Sequence, residues 1–339
     1  MNLHSHVAIV HFAFLFNLTG ILTKFLSSWS IQPIFILTVH CLFLLGFYSL
    51  TLLKSREVEP PINDKNLPQT EATHFSLSPE ELEALKAAKK VVAREREKFL
   101  KQNNGFVPMA SEKVQKYLNE AMRCFELNLN NAISSEGQPW VLQYQNDNKN
   151  VKIYSADFPG KPCRRWKIVA FLETDLESAY DAIFLPERRK KWDALVKEVN
   201  MLQINDCEPA IGDGLAITSI VTNQVLMVKS RAMLDLALQK CDPKGGIHIA
   251  NVSCPTDFEE SKLNPGIDGA VKAVTHIGSG ASLKPIPGKP QTLEYVLVST
   301  IELGGWLPPR VINATMSSSL ASSTEQMIDF LDKSKNNSS

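Results

Sequence analysis

The sequence carries no surplus of charge of either sign. Lysine and arginine together number 36, aspartate and glutamate together also number 36, and the formal net charge is +0. Proteins that bind nucleic acid through its phosphates usually present a basic surplus, overall or on one face. The balanced composition therefore argues against nucleic acid as a partner.

Cysteine pairs, metal-ligand spacings and catalytic signatures are also missing. The six cysteines are scattered, with no C-x-x-C pair and no histidine at ligand spacing, which is typical of free thiols in a reducing compartment. The sequence has no nucleophile elbow, P-loop, dinucleotide fingerprint or H-E-x-x-H. The glycines of "HIGSGAS", which begins at His276, are interpreted as structural. We expect no catalysis, no metal and no cofactor.

One segment lacks charge altogether. Residues 31–53 contain no Asp, Glu, Lys or Arg and are long enough to cross a bilayer, which needs about 20 apolar residues. A shorter apolar run, residues 7–23, precedes them, so residues 1–54 are predicted to form a membrane anchor with one or two transmembrane helices. A cleaved secretory signal is disfavoured because no basic region precedes residue 7.

Two basic residues, Lys54 and Arg56, follow this run directly. The positive-inside rule then places the rest of the chain in the cytosol. The sequence does not choose the organelle, and the endoplasmic reticulum and the endosome both fit.

Residues 55–109 are predicted to form a flexible spacer and a charged helix. The helix begins at a capping box formed by Ser78 and Glu81, and its thin apolar stripe predicts a mostly solvated stalk. A second helix, from Ala110, has a richer apolar face and is expected to be the first element of the folded domain.

From Trp140 onward the apolar residues form short, often alternating runs separated by turn residues. A helical insert begins at Asp175, and a long helix ends the chain. Helices and strands in this order predict an α+β fold with helices packed against an antiparallel sheet.

The final helix follows an unusual entrance, "GGWLPPRVINATMSSSLA". Gly304 and Gly305 allow a sharp exit from the last strand, and the two prolines fix the start of the helix. Small hydroxylated residues flank its apolar stripe, which consists of Ile312, Met316, Leu320 and Met327. These serines either face solvent or leave room for a bound molecule.

Four segments, "RRWKIVAFLE", "LPERRKKWDALVKEVNMLQ", "VKSRAML" and "GGWLPPRVIN", occur in the order and spacing of the StAR-related lipid transfer (START) domain. The resemblance covers residues 111–333 and is strongest to the branch of steroidogenic acute regulatory protein. It implies a helix-grip fold, in which a curved antiparallel sheet and the final helix enclose one lipid. We therefore expect a START domain over residues 110–333, with a disordered tail over 334–339.

The resemblance also implies which side chains contact the lipid. Alternation along the strands and helical spacing predict this cavity lining: Thr218, Ile220, Tyr295, Leu297, Ser299, Ile312, Met316, Ser319 and Ser323. The match of "VKSRAML" to the family adds Arg231 to the predicted ligand-binding residues. The acidic and arginine residues of the sterol-binding branch align with Thr218 and Ala237, neither of which is charged. The branch favours a sterol, which is the ligand that we expect, and the loss of the charged pair leaves a phospholipid or another bulky lipid as the alternative.

A gate is expected where the cavity opens. Val225, Leu226 and Met227 form a run too apolar for an ordinary exposed loop, and Gly304 and Gly305 supply a flexible point at the base of the helix. The alternative is that the apolar run packs in the core as a short strand.

Partners other than lipids and membranes are weakly indicated. The residues around Phe75, "THFSLSPEE", resemble a motif that binds a partner on the endoplasmic reticulum, but helix capping by Ser78 explains the same residues. The basic run "PERRKKWD" is either a contact for acidic lipids or a solvated helix face. The sequence thus predicts a membrane-tethered lipid-transfer protein, with a non-transferring tether as the alternative; a thioesterase with a START domain is disfavoured because no catalytic domain is evident.

Overall fold

The computed structural model describes residues 77–102, 106–224, 228–263, 269–305 and 308–336. The predicted anchor, residues 1–54, and the spacer that follows it lie outside the described residues. Among the helices that are described, none is both long and apolar enough to cross a membrane.

Five α-helices are described: α1 (Pro79–Gln102), α2 (Glu112–Asn130), α3 (Leu176–Phe184), α4 (Pro186–Arg189) and α5 (Pro309–Asn336). The strands of the described residues are β1 (Val141–Asn146), β2 (Val151–Asp157), β3 (Arg164–Leu172), β4 (Val196–Asn205), β5 (Gly214–Thr222), β6 (Arg231–Cys241), β7 (Ile247–Ser253), β8 (Val271–Lys272), β9 (Val274–Thr275), β10 (Ser279–Ile286), β11 (Lys289–Ser299) and β12 (Ile301–Glu302).

Most strands form a single large sheet. Its order is β1-β2-β3-β11-β10-β7-β6-β5-β4, every pair along this path is antiparallel, and β8 adds a short parallel pairing to β6. Strands β9 and β12 form a separate antiparallel pair. The predicted α+β architecture, with a large antiparallel sheet and a C-terminal helix, is confirmed.

The two faces of this sheet are covered by different helices. Successive side chains on a strand point to opposite faces, so Leu236 and Leu238 of β6 pack with α2 while Ala237 belongs to the other cluster. Phe125 and Leu118 of α2 are completely buried on their side. Helices α3, α4 and α5 lie over the second face, where the candidate site is found.

Helix α1 starts at the predicted capping box, because Ser78 and Glu81 exchange backbone-to-side-chain hydrogen bonds of 2.9 and 3.2 Å. It is not a free stalk, however. Ala88 and Val92 are buried in the core, and Arg94 forms ion pairs with two carboxylates of α3. The expected solvated stalk is therefore corrected to a helix docked on the domain, where Arg96 adds two hydrogen bonds to the Asp206 carboxylate.

The chain end also differs from the expectation. Helix α5 continues to Asn336, so residues 334–336 are helical and not part of a disordered tail. The Ser334 hydroxyl donates to the carbonyl of Phe330 at 2.9 Å, and Lys333 and Lys335 lie in the last turn, where positive charge complements the helix dipole.

Candidate functional site

A cavity lies between the second face of the sheet, the α3–α4 segment and α5. It encloses a free volume of about 120 Å³. Most of the side chains around it are apolar: Ile168, Ile183, Phe184, Trp192, Val199, Ile220, Ala237, Ile249, Ala281, Leu297, Leu320 and Met327. The polar residues are Arg189, Thr218, Asp235, Asn251, Tyr295, Ser323 and Thr324. The cavity is thus an apolar chamber with a few polar groups, the usual composition of a site for a small hydrophobic ligand.

Asp235 places a carboxyl group in this apolar wall. The residue is only 6% exposed, and its two oxygens accept hydrogen bonds from the hydroxyls of Ser253 at 2.9 Å and Thr275 at 2.8 Å. Burial raises the pKa of Asp235 to about 6, although the two hydroxyls and Arg189 act in the opposite direction. Asp235 therefore exchanges its proton near neutral pH and can act as a hydrogen-bond acceptor or donor.

Arg189 and Tyr295 bring two further polar groups to the cavity. The Arg189 Nε atom donates to the Asp193 carboxylate at 3.2 Å, and Asp193 is itself buried. Tyr295 is 5% exposed, burial raises the pKa of its phenol, and within the described part of the chain its hydroxyl has no hydrogen-bond partner. The Tyr295 hydroxyl is therefore available to a ligand.

Comparison with known families settles what kind of domain encloses the cavity. The START domain model matches residues 120–337. This chain belongs to the START domain family. A START domain binds or transfers a lipid and is not itself catalytic, so the chain is a lipid-binding or lipid-transfer protein.

Known START domain proteins resemble this chain over the described domain. StAR-related lipid transfer protein 5 of Homo sapiens is 27% identical over 190 residues, covering 51% of this chain and 82% of that protein. The protein of the same name from Pongo abelii gives the same identity and coverage. The solved human structure of this protein superposes with a TM-score of 0.53 at 19% identity, covering 65% of this chain and 96% of that chain. This structural likeness shows a common fold.

Half of the predicted lining lies around the START domain cavity. Thr218 and Ile220 of β5, Tyr295 and Leu297 of β11, and Ser323 of α5 all border it. These residues were chosen by strand alternation and helical spacing, and the structure brings them together on one face of the sheet and on the helix opposite.

The other predicted residues lie elsewhere. The residues of α5 that border the cavity lie in the middle of the helix, between positions 320 and 327, so Ile312, Met316 and Ser319 are not part of the lining given above. Ser299 is buried at the end of β11, beyond the cavity. Arg231 is buried as well, and its Nε atom donates to the carbonyl of Leu303 at 2.7 Å, which gives it a structural role at the entrance to α5.

The charged groups of the cavity are those that sequence analysis missed. Thr218 and Ala237 do border the cavity, but it is not without charge, because Asp235 and Arg189 border it too. Asp235 is two residues before Ala237 on β6 and directly opposite Thr218 in the sheet. The signal was the lone acid in "LDLAL", a five-residue segment that is otherwise apolar on both faces of the strand.

The predicted gate is only partly within the described residues. Val225, Leu226 and Met227 lie outside them. Gly304 and Gly305 have φ angles of +65° and +74°, which side chains other than glycine rarely adopt. The sharp exit from the last strand is therefore present, and hinge motion at these glycines stays a prediction.

Proposed function

We propose that this chain holds one lipid in the cavity and moves it between membranes, while residues 1–54 tether the chain to one of them. The apolar chamber beneath α5 is the observation that carries the proposal. Transfer of a lipid through water requires only a dry cavity and a cover, because burial of its hydrocarbon is favourable by about 25 cal/mol per Å². Membership of the START family supports the same function.

We further propose that the tether places the START domain in the cytosol, at the endoplasmic reticulum or the endosome. The charge-free run over residues 31–53 and the basic residues that follow support this orientation. The contact-site partner at Phe75 stays a prediction, since capping of α1 by Ser78 also accounts for the neighbouring residues.

A neutral lipid with a free hydroxyl, such as a sterol, is the ligand class that we propose. Asp235 and the Tyr295 hydroxyl offer hydrogen bonds within an otherwise apolar wall, and the ionised Asp235 would repel a phosphate. The only guanidinium in the lining given above, that of Arg189, is already paired with Asp193.

The first experiment asks which lipid the protein carries. Lipids extracted from the purified full chain are identified by mass spectrometry, and a bound fluorescent sterol is then displaced with cholesterol, with its methyl ether or with phosphatidylcholine. We expect cholesterol to compete at least tenfold better than the ether, because a hydrogen bond to a charged group contributes about 1.5–3 kcal/mol. A protein without exchangeable lipid would exclude the transfer function, and better competition by phosphatidylcholine would exclude the sterol.

The Asp235→Asn variant tests the role of the carboxyl group. Asparagine keeps the size but offers one acceptor oxygen, so the preference for cholesterol over the ether should shrink toward unity. Asp332→Asn, an exposed position on α5, is the matched control and should keep the full preference.

A further inference from the structure

Residues 187–197, which run from α4 through the connecting loop into β4, have an inner and an outer side. On the inner side, Arg189 and Trp192 border the cavity, and Asp193 is buried against Arg189. The Trp192 Nε1 atom donates to the carbonyl of Ala182 in α3 at 2.8 Å. These contacts make the inner side a fixed part of the cavity wall.

The outer side of the same segment is basic. Arg188, Lys190, Lys191 and Lys197 are exposed, and none of the three lysines forms an ion pair within the residues that the structure describes. Glu187 and Glu198 are the acidic residues next to them, so the segment keeps a positive surplus. Leu195 adds a large apolar side chain that is 40% exposed.

This segment also contacts the other elements that enclose the cavity. The backbone N–H of Ala194 donates to the Gln326 side chain of α5 at 3.3 Å. Asn223, just after β5, donates through its side chain to the carbonyl of Ala194 and through its backbone to that of Leu195, both at 2.8 Å. A surface that binds the outer side is therefore next to α5, to the end of β5 and to the cavity wall.

We propose that the outer side of residues 187–197 is the face that docks on an anionic membrane. The proposal rests on the lipid-carrying function, because a lipid that leaves the cavity needs a bilayer beside the cavity wall. Exposed lysines around one exposed leucine match the anionic headgroups and the apolar edge of a bilayer, which suits a membrane better than one acidic peptide. The basic run singled out in the sequence is thus a membrane contact on its outer side and a cavity wall on its inner side.

Capture of acceptor vesicles by the full chain tests this face. The protein is reconstituted in phosphatidylcholine donor vesicles and mixed with acceptors of phosphatidylcholine, with or without phosphatidylserine. We expect capture of the phosphatidylserine acceptors only, and weaker capture as salt screens the charges. The double variant Lys190→Gln, Lys191→Gln should lower the apparent affinity about thirtyfold, which corresponds to ~2 kcal/mol for two basic residues at an anionic leaflet.

A second double variant, Lys152→Gln and Lys289→Gln, removes the same charge from exposed positions on β2 and β11. It should capture acceptors as the wild type does. Equal losses in the two double variants, or equal capture of both acceptors by the wild type, would overturn the docking face. Lipid content measured in the same preparations separates the two proposals, because capture without bound lipid supports the docking face and excludes the lipid-carrying function.

Discussion

Asp235 is a buried carboxyl group, and its hydrogen bonds and the nearby Arg189 offset only part of the cost of burying its charge. Burial raises its folded pKa to about 6, above the ordinary value of an aspartate. In the window between the two values the folded state holds a proton that the unfolded state has released, so stability falls as pH rises. A shift of about two units corresponds to roughly 3 kcal/mol lost between about pH 4 and pH 6.

The Asp235→Asn variant removes this titration. Relative to the variant, the wild type should lose about 3 kcal/mol of unfolding free energy between pH 4 and pH 7, as other groups titrate equally in both proteins. Urea denaturation at several pH values gives the two curves. Parallel curves would mean that Asp235 has an ordinary pKa in the folded protein.

Gly304 and Gly305 allow a comparison of two neighbouring positions with positive φ. A Cβ atom at Gly304 would lie 2.6 Å from the carbonyl oxygen of Lys272, whereas one at Gly305 would approach nothing closer than 3.6 Å. Each alanine substitution should cost about 1–2 kcal/mol for its backbone conformation. Gly304→Ala should cost roughly 1–3 kcal/mol more, because backbone must move.

Urea denaturation of the two alanine variants measures this difference, and Gly137→Ala, with φ of +76° and no atom within 4 Å, sets the backbone cost alone. Equal stability of the Gly304 and Gly305 variants would show that the chain around Lys272 yields without strain.

At the scale of elements, α1 is attached to the domain through an apolar stripe and several ion pairs. Ala88 is completely buried while its neighbour Ala87 is exposed. Ala88→Glu should therefore cost about 3 kcal/mol and detach the helix, whereas Ala87→Glu should be nearly neutral. Limited proteolysis followed by mass spectrometry locates the cuts, and we expect early cleavage within α1 in the first variant only. Protection of α1 in both variants would place its main attachment in the ion pairs of Lys89, Arg94 and Arg96 instead.

Helix α5 shows which of its cavity residues helical periodicity can predict. The spacing of Ile312, Met316, Leu320 and Met327 identified one face of the helix, and Leu320 and Met327 do border the cavity. Helical periodicity identifies the face of α5 that packs against the sheet. It does not identify which turns of that face border the cavity. That part depends on where the helix crosses the sheet, which is set by strands far away in sequence.

At the scale of the whole molecule, the cavity is smaller than the ligand that we propose for it. Its free volume is about 120 Å³, whereas pockets for drug-sized ligands span about 300–1,000 Å³. Loading therefore has to move α5 or the α3–α4 segment outward. Entry of a lipid and movement of the covering helix are then one event.

A bulky side chain in the cavity should block the entry of the lipid. Ser323 borders the cavity, whereas Ser322 on the same helix is exposed. Added sterol should stabilise the wild type and Ser322→Phe by about 2.7 kcal/mol at a hundredfold excess over Kd. Ser323→Phe should show little stabilisation. Thermal unfolding with and without sterol gives the comparison, and equal shifts in the two variants would place the lipid outside this cavity.

Local patterns in the sequence determined the parts of this protein that depend on near neighbours. The capping box of α1, the antiparallel strands, the turn glycines before α5 and the START motifs all follow from spacings of a few residues. Only the tertiary structure decided what depends on distant pairings. The register of β5 against β6 places Asp235 opposite Thr218. The position at which α5 crosses the sheet brings Ser323, and not Ile312, to the cavity. The buried charge of Asp235 and the docking of α1 could not be predicted from local sequence patterns, because both depend on contacts between residues far apart along the chain.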